Sequence, residues 1–452
     1  MTQPGRAAAR WRRRPHPAQW TVGGFVLLIV VGTGLLLLPI SKVGPGGASF
    51  IEAFFTAVSA VCVTGHIIVD TATHWTGFGQ VVIMVLIQVG GFGVMTFASI
   101  IGVVVVRRLS LTSRLTTAAE TKSLGLEDVK SLVLNVLKIS LVIEGAASAI
   151  LFLWFWLRYG MTPAEAAWIG LFHGVSSFNN AGFSLFSDNL MGYVADPVVS
   201  LTICAAIILG GIGFPVIMQL RKHWMRPLAW TMNTRIVLWA TPVLLVSGTI
   251  YITAIEWNNP GTLGPLDWPS KILAGFFQSV QTRTAGFNSI DIGAADDSTL
   301  FGMSALMFIG GGPAGTAGGI KVTTFAVLLF ILLAEVRGEG VVNVFGKRLS
   351  RSVHRQAIAV VLLSTAVVVA ATVAIMLLSG LGLSAVLFET VSAFGTVGLS
   401  TGITADLPVA AQVILAVLMF LGRLGPITFA SALALRRREI LYQLPKERPI
   451  IG

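Results

Sequence analysis

Charged residues are scarce in this sequence. They make up 11% of its 452 residues, whereas hydrophobic residues make up 54%; a soluble domain carries roughly 25% charged residues. This deficit excludes an ordinary soluble enzyme or binding domain and indicates a surface that faces lipid over most of its area. Cysteine is scarce as well. The two cysteines, Cys62 and Cys204, lie in apolar stretches, which argues against a structural disulfide or a zinc site.

The sequence also lacks the motifs of enzymes and nucleotide-binding proteins. Its glycine-rich stretch 310–319 has no Gly-Lys-Ser/Thr ending, so it does not fit a phosphate-binding loop. The six histidines show no metal-ligand pairing, and neither a dinucleotide fingerprint nor a catalytic triad fits. We therefore predict a protein that is not an enzyme, has no catalytic residues and binds no cofactor of its own.

What the sequence does contain is one short motif repeated four times. Each copy begins with a phenylalanine and ends ten residues later with a glycine, at 55–65, 172–182, 276–286 and 388–398. The copies recur roughly every 110 residues, and a long period of this kind indicates an internal four-fold repeat. Four copies of one loop can surround a single axis, which is how a ring of carbonyl groups around an ion is built in a membrane.

Each motif lies in a short apolar segment between two longer ones. The longer segments, predicted to span, are 20–40, 78–106, 132–157, 198–220, 236–255, 300–333, 357–378 and 410–435. The short segments are 50–63, 166–178, 270–281 and 385–394. The short segments cannot cross the roughly 30 Å hydrocarbon core, so the chain must turn back at a depth where irregular backbone is tolerated only in protein or beside water. We predict an all-α polytopic membrane protein with four pseudo-symmetric span–pore-loop–span repeats around one central ion pore.

The repeats divide the chain into six parts. These are a basic N-terminus (1–18), repeat 1 (19–107), repeat 2 with a cytoplasmic linker (108–221), repeat 3 with a broken second span (222–335), repeat 4 (336–437) and a C-terminal tail (438–452).

Basic residues concentrate in alternate connections between the predicted spans. They crowd the N-terminus, the segments 107–138, 221–235 and 337–355, and the tail 436–448. This positive-inside pattern predicts a multi-pass membrane protein with both termini in the cytoplasm, and it argues against nucleic acid as the reason for the net charge of +11. The other connections are acidic. Their carboxylates would either concentrate cations at the outer mouth or merely keep the loops soluble.

The end of each motif suits a selectivity filter. Backbone carbonyls can replace the water of a monovalent cation without a fixed charge, so that the ion can also leave. Glycine permits the strained backbone that such a loop needs, and the preceding short helix would direct its partly negative C-terminal end at the axis. The predicted filter residues, where K+ would bind, are Val63, Thr64, Gly65, Asn180, Ala181, Gly182, Thr284, Ala285, Gly286, Thr396, Val397 and Gly398.

A glycine cluster follows each motif in the second span. Close helix packing through small residues explains most of these clusters. The third is different, since its proline and glycines are incompatible with a regular helix. We predict two half-helices joined by a flexible gating loop under the filter. The loop consists of Gly310, Gly311, Gly312, Pro313, Ala314, Gly315, Thr316, Ala317, Gly318 and Gly319.

At this point the sequence resembles a known superfamily over essentially its whole length. The stretches 279–288 (Ser-Val-Gln-Thr-Arg-Thr-Ala-Gly-Phe-Asn) and 311–321 (Gly-Gly-Pro-Ala-Gly-Thr-Ala-Gly-Gly-Ile-Lys) are similar to those of the potassium transporters that include bacterial TrkH and KtrB and plant HKT proteins. The chain begins directly with the first repeat, which favours the KtrB-type branch. In the plant relatives a serine at the first filter position accompanies sodium preference, so Gly65 favours potassium.

The resemblance implies a role for Arg423 and also implies that the chain binds two kinds of partner. Arg423 stands where the family places a cation that faces the gating loop, either as an electrostatic barrier in the pore or as part of a locking ion pair. The family further implies a homodimer, with one pore in each protomer, docked on a cytosolic ring of nucleotide-binding regulatory subunits of the KtrA/TrkA type. The basic cytoplasmic loops suit that docking or contact with anionic membrane lipid.

Four other polar or reactive residues are further candidates. Arg283 precedes the third filter and would brace it through backbone carbonyls, outside the pore. Glu144 lies within a span and is either a proton or sodium site or a paired structural residue. Cys62 and His66 flank the first filter as packing or mouth residues.

The function that the resemblance implies is potassium uptake across the bacterial plasma membrane, with this chain as the pore-forming subunit of a Ktr/Trk-type system. The flux would be passive or coupled to sodium. The alternatives are a sodium-permeable or sodium-coupled member of the same superfamily and, from another class, a secondary transporter of a small solute. The last usually has its broken helices in two related halves rather than in four equal loops.

Overall fold

The structure, a computed structural model, describes residues 17–111 and 126–425. The predictions for the basic N-terminus, for part of the 107–138 connection, for the end of the last span and for the C-terminal tail lie outside these residues.

Fifteen helices make up most of the described chain. They are α1 (Pro17–Leu36), α2 (Phe50–Val61), α3 (Thr71–His74), α4 (Gly77–Leu111), α5 (Leu126–Tyr159), α6 (Pro163–Phe178), α7 (Pro197–Gly211), α8 (Phe214–His223), α9 (Met232–Glu256), α10 (Trp268–Gln281), α11 (Asp297–Phe308), α12 (Val322–Val336), α13 (Arg351–Ser379), α14 (Leu383–Gly395) and α15 (Val409–Leu424). Two-residue strands β1 (Asn343–Val344) and β2 (Lys347–Arg348) form an antiparallel hairpin between α12 and α13. The predicted all-α polytopic membrane fold is confirmed.

The helices fall into long and short classes. Among the described residues, the helices long and apolar enough to cross a membrane are α5 (from Val133), α9 and α13, and the bent pair α7 and α8 would make a fourth span. Helices α2, α6, α10 and α14 have 12, 16, 14 and 13 residues. At 1.5 Å per residue they extend about 18–24 Å, less than the membrane core, so each ends inside it.

Local chemistry starts the short helices. Ser49 and Glu52 form a reciprocal capping box at the first turn of α2, which satisfies amide groups that have no partner within the helix. The Thr162 side chain caps α6, and Pro163 follows it at the first helical position, where proline costs no hydrogen bond. These starts are polar, whereas the C-terminal halves of the short helices are buried.

The phenylalanine that opens each motif anchors its short helix in the core. Phe55, Phe172 and Phe388 are fully buried and belong to one large apolar cluster. In the third copy Phe276 is only partly buried, and its neighbour Phe277 fills a second cluster instead. Fully burying such a side chain contributes roughly 1.5–3 kcal/mol, so the repeated aromatic residue fixes the depth at which each short helix ends.

The third return path consists of two helices rather than one. Helix α11 ends at Phe308 and α12 begins at Val322, and the ends of the intervening segment pair in parallel between Ile309 and Ile320. The break places an irregular loop in the interior, beneath the ends of the short helices.

The second return path is also broken, so the prediction of a continuous span over 198–220 is wrong. Helices α7 and α8 meet at an angle of 94°. At the corner Gly213 has a φ of 93°, and the amide of Phe214 donates to the carbonyl oxygen of Ala314 at 3.1 Å. The partner that sets this corner lies in another repeat, so the local apolar pattern of 198–220 does not reveal it.

Candidate ion pathway

The four motif glycines form a closed ring. A Cβ atom placed on Gly65 would lie 3.0 Å from the Cα atom of Gly182. The corresponding distances are 2.9 Å from Gly182 to Gly286, 3.1 Å from Gly286 to Gly398 and 3.1 Å from Gly398 back to Gly65. Each Cβ would also overlap a backbone carbonyl of the next loop. The ring therefore has no space for any side chain at these positions.

The backbone of the four loops is strained in the same way. Two residues before each glycine, φ is 55° at Val63, 58° at Asn180, 67° at Thr284 and 49° at Thr396. The glycines follow with φ between 68° and 93°. A left-handed residue that is not glycine costs roughly 1–2 kcal/mol, and β-branched residues are seldom found there. Four equivalent outliers indicate a conformation that the surrounding structure imposes.

The amide groups of the loops are bonded away from the ring. The Gly65 amide donates to the Ser59 hydroxyl and the Gly398 amide to the Ser392 hydroxyl, both at 3.1 Å. In the third copy the Phe287 amide donates to the Gln281 side chain at 3.0 Å. Within residues 17–111 and 126–425, none of the twelve carbonyl oxygens of the predicted filter residues accepts a hydrogen bond. The arrangement thus leaves a set of carbonyl oxygens available to a cation.

The serines that support the loops were not singled out by the sequence analysis. Ser59, Ser176 and Ser392 each stand four residues after the motif phenylalanine. Ser176 donates to the carbonyl of Phe183, just beyond its own loop, at 2.8 Å. The shared serine was visible in the aligned motifs, and a hydroxyl near the end of a short buried helix was the signal that pointed to this role.

A polar cavity of about 350 Å³ opens on one side of the ring. All four motif glycines line it, together with the carboxylates of Asp70, Asp188 and Asp291. Burial of Asp70 opposes its ionisation, but hydrogen bonds from the Ser187 and Thr73 hydroxyls and from backbone amides outweigh burial, so its pKa lies below the ordinary value. The cavity is therefore negative at neutral pH and attracts cations.

A buried acid connects the first and fourth loops behind the ring. Glu389 of α14 is fully buried, and its carboxylate lies 3.4 Å from Nδ1 of His66, the residue after Gly65. The same carboxylate accepts hydrogen bonds from the Thr401 amide at 2.9 Å and from the hydroxyls of Ser400 and Thr404. His66 is itself buried, so it is not a mouth residue. Glu389 was missed because nothing in its own segment indicates this contact.

The loop 309–321 lies directly on the opposite side of the ring. A Cβ atom on Gly318 would overlap the Thr396 side chain, and one on Gly319 would lie 3.2 Å from the Cα atom of Gly395. The amides of Gly312 and Thr316 donate to the last carbonyls of α7, at 2.7 Å to Gly211 and 3.1 Å to Gly210. The loop is therefore held by the second return path and pressed against the fourth loop.

Three cationic side chains bind the carbonyls of this same loop. Arg423, only 4% exposed, donates to the Thr316 carbonyl and, at 3.4 Å, to that of Gly90. Arg283 donates to the Gly310 carbonyl at 3.0 Å, and Lys321 to those of Ala317 and Gly318. The sequence analysis predicted that Arg283 braces the third filter. In the structure its side chain instead binds the loop 309–321. Among the described residues no carboxylate pairs with Arg423. The electrostatic barrier and the locking ion pair both stay predictions.

The other candidates have structural surroundings. Glu144 accepts hydrogen bonds from Gln88 at 3.0 and 3.2 Å and from Asn179 at 3.1 Å, so it is paired with amide groups of neighbouring helices. Cys62 and Cys204 are buried and unbridged. Glycines of the return helices permit close packing: a Cβ on Gly90, Gly210 or Gly422 would overlap the carbonyl oxygen of Val61, Phe178 or Phe394, near the end of the preceding short helix.

Comparisons with known proteins agree with this architecture. The family model of TrkH, described as a cation transport protein, matches residues 16–438. The solved structure of the potassium transporter TrkH from Vibrio parahaemolyticus has the same fold, with a TM-score of 0.72 over 96% of this chain and 87% of that chain at 18% identity. The chain therefore belongs to the TrkH family of cation transport proteins, which are transporters and not enzymes.

Within the family, the chain resembles proteins of the KtrB type. The chain is 41% identical to the Ktr system potassium uptake protein B of Bacillus subtilis, over 94% of each chain. It is 38% identical to the protein of the same name from Vibrio alginolyticus, over 95% of this chain and 93% of that protein. It is also 34% identical to the potassium/sodium uptake protein NtpJ of Enterococcus hirae, over 98% and 99%. The prediction of a KtrB-type member is confirmed.

Proposed function

We propose that this chain is the pore-forming subunit of a bacterial potassium uptake system. One observation carries the proposal: four loops close a ring in which twelve carbonyl oxygens are free of hydrogen bonds among the described residues. Two relatives with similarity over nearly their whole length are named potassium uptake proteins, which supports K+ as the transported ion.

In this proposal the residues 63–65, 180–182, 284–286 and 396–398 form the selectivity filter. Their carbonyls replace the hydration shell of K+, and the short helices before them direct their partly negative ends at the ion. The acidic cavity supplies cations to the outer face. An interior potential of −100 mV favours inward movement of one charge by about 2.3 kcal/mol, so accumulation requires no hydrolysis by this chain.

The loop 310–319 acts as the gate, and Arg423 as an electrostatic barrier below the filter. The loop is irregular, rests against Gly395 and Thr396, and is held mainly by hydrogen bonds of backbone and cationic side chains. A cation that approaches Arg423 meets a like charge in a region of low dielectric constant, where such repulsion is strong. Conduction therefore requires the loop and this guanidinium to move apart.

The remaining features of the proposal concern membrane orientation and partners. The cavity lined by Asp70, Asp188 and Asp291 faces outward, and both termini lie in the cytoplasm, because the basic connections lie on the other side. The chain forms a homodimer and docks on a cytosolic ring of nucleotide-binding subunits. The word "system" in the names of the Ktr relatives supports a transporter of more than one component.

A sodium-permeable transporter is the second candidate. NtpJ, one of the similar relatives, is named as a potassium/sodium uptake protein. A transporter of small organic solutes is disfavoured by the membership of the cation transport family.

Ion flux in proteoliposomes tests the proposal. Purified protein is reconstituted, and flux under a potassium gradient is compared with flux under a sodium gradient. The Gly286→Ser variant is measured alongside, with Gly380→Ser as its control. Both glycines have a positive φ, 81° and 69°, but only Gly286 faces a neighbouring loop.

We expect selective potassium flux that Gly286→Ser abolishes and Gly380→Ser leaves intact. Equal sodium flux in the wild type would favour the second candidate. A Gly286→Ser variant that conducts and selects like the wild type would contradict the filter. If the purified chain is silent, the same three proteins are compared by uptake in cells deficient in potassium transport, and failure there as well would reject the proposal.

A further inference from the structure

A large groove on the outer surface of the helices has no part in the ion pathway. It has a volume of about 1070 Å³ and lies between the end of α8, the turn that follows it, one face of α9 and the tip of the β1–β2 hairpin. Its apolar wall includes Leu220, Leu228, Trp239 and Phe345. Of the described residues that line it, none is acidic.

The groove runs along a single face of a membrane-spanning helix. Arg235, Trp239, Val243, Val246 and Ile250 follow one another at helical spacing on α9. The rise along α9 from Arg235 to Ile250 is about 22 Å, more than the roughly 15 Å depth of one leaflet. The four apolar side chains of this row are 59–68% exposed. A face that is so apolar and so long suits the hydrocarbon chain of a lipid.

One end of the groove is basic. The Arg235 guanidinium donates to the Leu228 carbonyl at 2.9 Å and lies 5.8 Å from the centre of the Phe345 ring. These two contacts fix its position while leaving most of its five N–H donors. Three exposed basic residues are next to lining residues in the chain: Arg221 and Lys222 follow Leu220 in the last turn of α8, and Arg226 precedes Pro227. Trp224 and Trp239 are 71% and 68% exposed, and exposed tryptophans are typical of a membrane interface.

We propose that this groove binds a phospholipid with an anionic headgroup. Its phosphate lies at Arg235 and the basic end of α8, and an acyl chain follows the apolar row of α9 towards Ile250. The charge of the groove decides between lipid classes, since a zwitterionic headgroup would place its own cation among these basic side chains. Arginine suits phosphate particularly well because its planar fork can donate two parallel hydrogen bonds.

The bound lipid would also act on the loop 309–321. Helix α8, which forms one wall of the groove at Leu220, begins at Phe214, whose amide holds the Ala314 carbonyl of that loop. A lipid that fixes α8 against α9 thus favours the present position of the loop. This consequence rests on the proposed function, whereas lipid binding itself does not.

Retention of lipid by the purified protein provides the test. The chain is extracted from vesicles that contain equal amounts of phosphatidylglycerol and phosphatidylcholine, and bound lipid is identified by native mass spectrometry. Arg235→Gln removes the charge, and Val243→Trp fills the apolar part without touching the charge. Matched controls are Arg337→Gln, an exposed arginine at the end of α12, and Val373→Trp on the lipid face of α13, 52% exposed.

We expect the wild type and both controls to retain phosphatidylglycerol preferentially. One basic residue near an anionic headgroup corresponds to about a fivefold change in affinity, so Arg235→Gln should reduce the preference by about that factor. Val243→Trp should lower retention of both lipids. Thermal unfolding and size measurements on each variant identify any that fails to fold.

Three outcomes would overturn the proposal. Equal retention of the two lipids by the wild type would exclude the anionic class, and equal effects of Arg235→Gln and Arg337→Gln would exclude this groove. A Val243→Trp variant that changes the dimer fraction but not lipid retention would identify a second copy of the chain as the occupant. None of these outcomes depends on ion flux, so they leave the transport proposal unaffected.

Discussion

The two faces of the glycine ring are built on different principles. On the face with the acidic cavity, which is the outer face in the proposed function, the four loops share one backbone conformation and one steric requirement. On the inner face the symmetry is lost, since a loop of the third repeat fills the space and a broken helix of the second repeat holds it. In the proposed function the ring needs equal copies because it presents equal oxygens to an ion, whereas the gate needs one part that can move against the others.

The two faces differ in charge as well. Asp70, Asp188 and Asp291 line the outer cavity. Arg283, Lys321 and Arg423 lie on the inner side, where they bind carbonyls of the loop 309–321. In the proposed function, acids at one end attract cations, and bases at the other oppose their passage until the loop moves. The contrast predicts that outer substitutions change which ion passes or how fast it arrives, whereas inner ones change how much passes.

The largest effect is expected from adding a side chain to a glycine of the ring. In Gly65→Ala or Gly398→Ala the new methyl group meets the carbonyl of the next loop, and the positive φ adds roughly 1–2 kcal/mol of strain. Because 1.4 kcal/mol corresponds to a factor of ten, the ratio of potassium to sodium flux should fall by about tenfold or more. Reversal potentials in mixed gradients measure the ratio. The control is Gly402→Ala, where φ is 94° but the space around the residue is open. An equal loss of selectivity in this variant would show that backbone strain alone causes the effect.

On the inner side, Arg423→Gln should change the amount of potassium flux and leave selectivity unchanged. Removing the charge lowers the barrier and weakens the hold on the Thr316 carbonyl. A hydrogen bond to a charged group contributes roughly 1.5–3 kcal/mol, so we expect potassium flux to rise by about tenfold or more with an unchanged potassium-to-sodium ratio. The exposed Arg337→Gln serves as the control. A decrease in flux accompanied by a lower unfolding temperature would show that Arg423 braces the structure and is not a barrier.

How far these features could be predicted depends on where their causes lie in the chain. The fold class follows from local patterns, since the apolar segments and the motifs such as 55–65 are contiguous. The corner at Gly213 does not, because its partner Ala314 lies about a hundred residues away. The hydrogen bond of Arg283 to the Gly310 carbonyl and the contact of Glu389 with His66 could not be predicted either, because the partners are likewise distant in sequence. The positions of the helices and motifs could therefore be predicted from the sequence. Their arrangement could not, because it depends on contacts between repeats.

Glu389→Gln should have a smaller effect on the outer face than the glycine substitutions. The amide keeps the shape of the side chain but weakens the bonds to the Thr401 amide, to nearby hydroxyls and to His66. A loss of about 1 kcal/mol should lower the potassium-to-sodium ratio by roughly fivefold or less. The matched control is Glu256→Gln, another fully buried acid that accepts bonds from Asn259, Thr262 and the Asp296 amide away from the loops.

Both acid variants should lower the unfolding temperature, and only Glu389→Gln should change selectivity. If the ratio shifts equally in the two variants, Glu389 has a general structural role and does not position the filter loops.

The smallest effect is expected at the outer cavity. Asp70→Asn removes one of its carboxylates, which the low pKa keeps ionised at neutral pH, and so reduces the local concentration of cations. We expect potassium flux at low potassium and low ionic strength to fall by about twofold, and the difference to vanish near 1 M salt, where screening acts within roughly 3 Å. The ion ratio should stay constant, because Asp70 caps α3 and contacts no filter carbonyl. Because the pKa of Asp70 is lowered by its hydrogen bonds, the advantage in the wild type should persist through the pH range in which an ordinary aspartate is protonated and disappear only at lower pH. A twofold loss that survives in high salt would mean that Asp70 acts by holding Ser187 and the loop around it, and the charge contrast between the two faces would then not govern the rate of ion arrival.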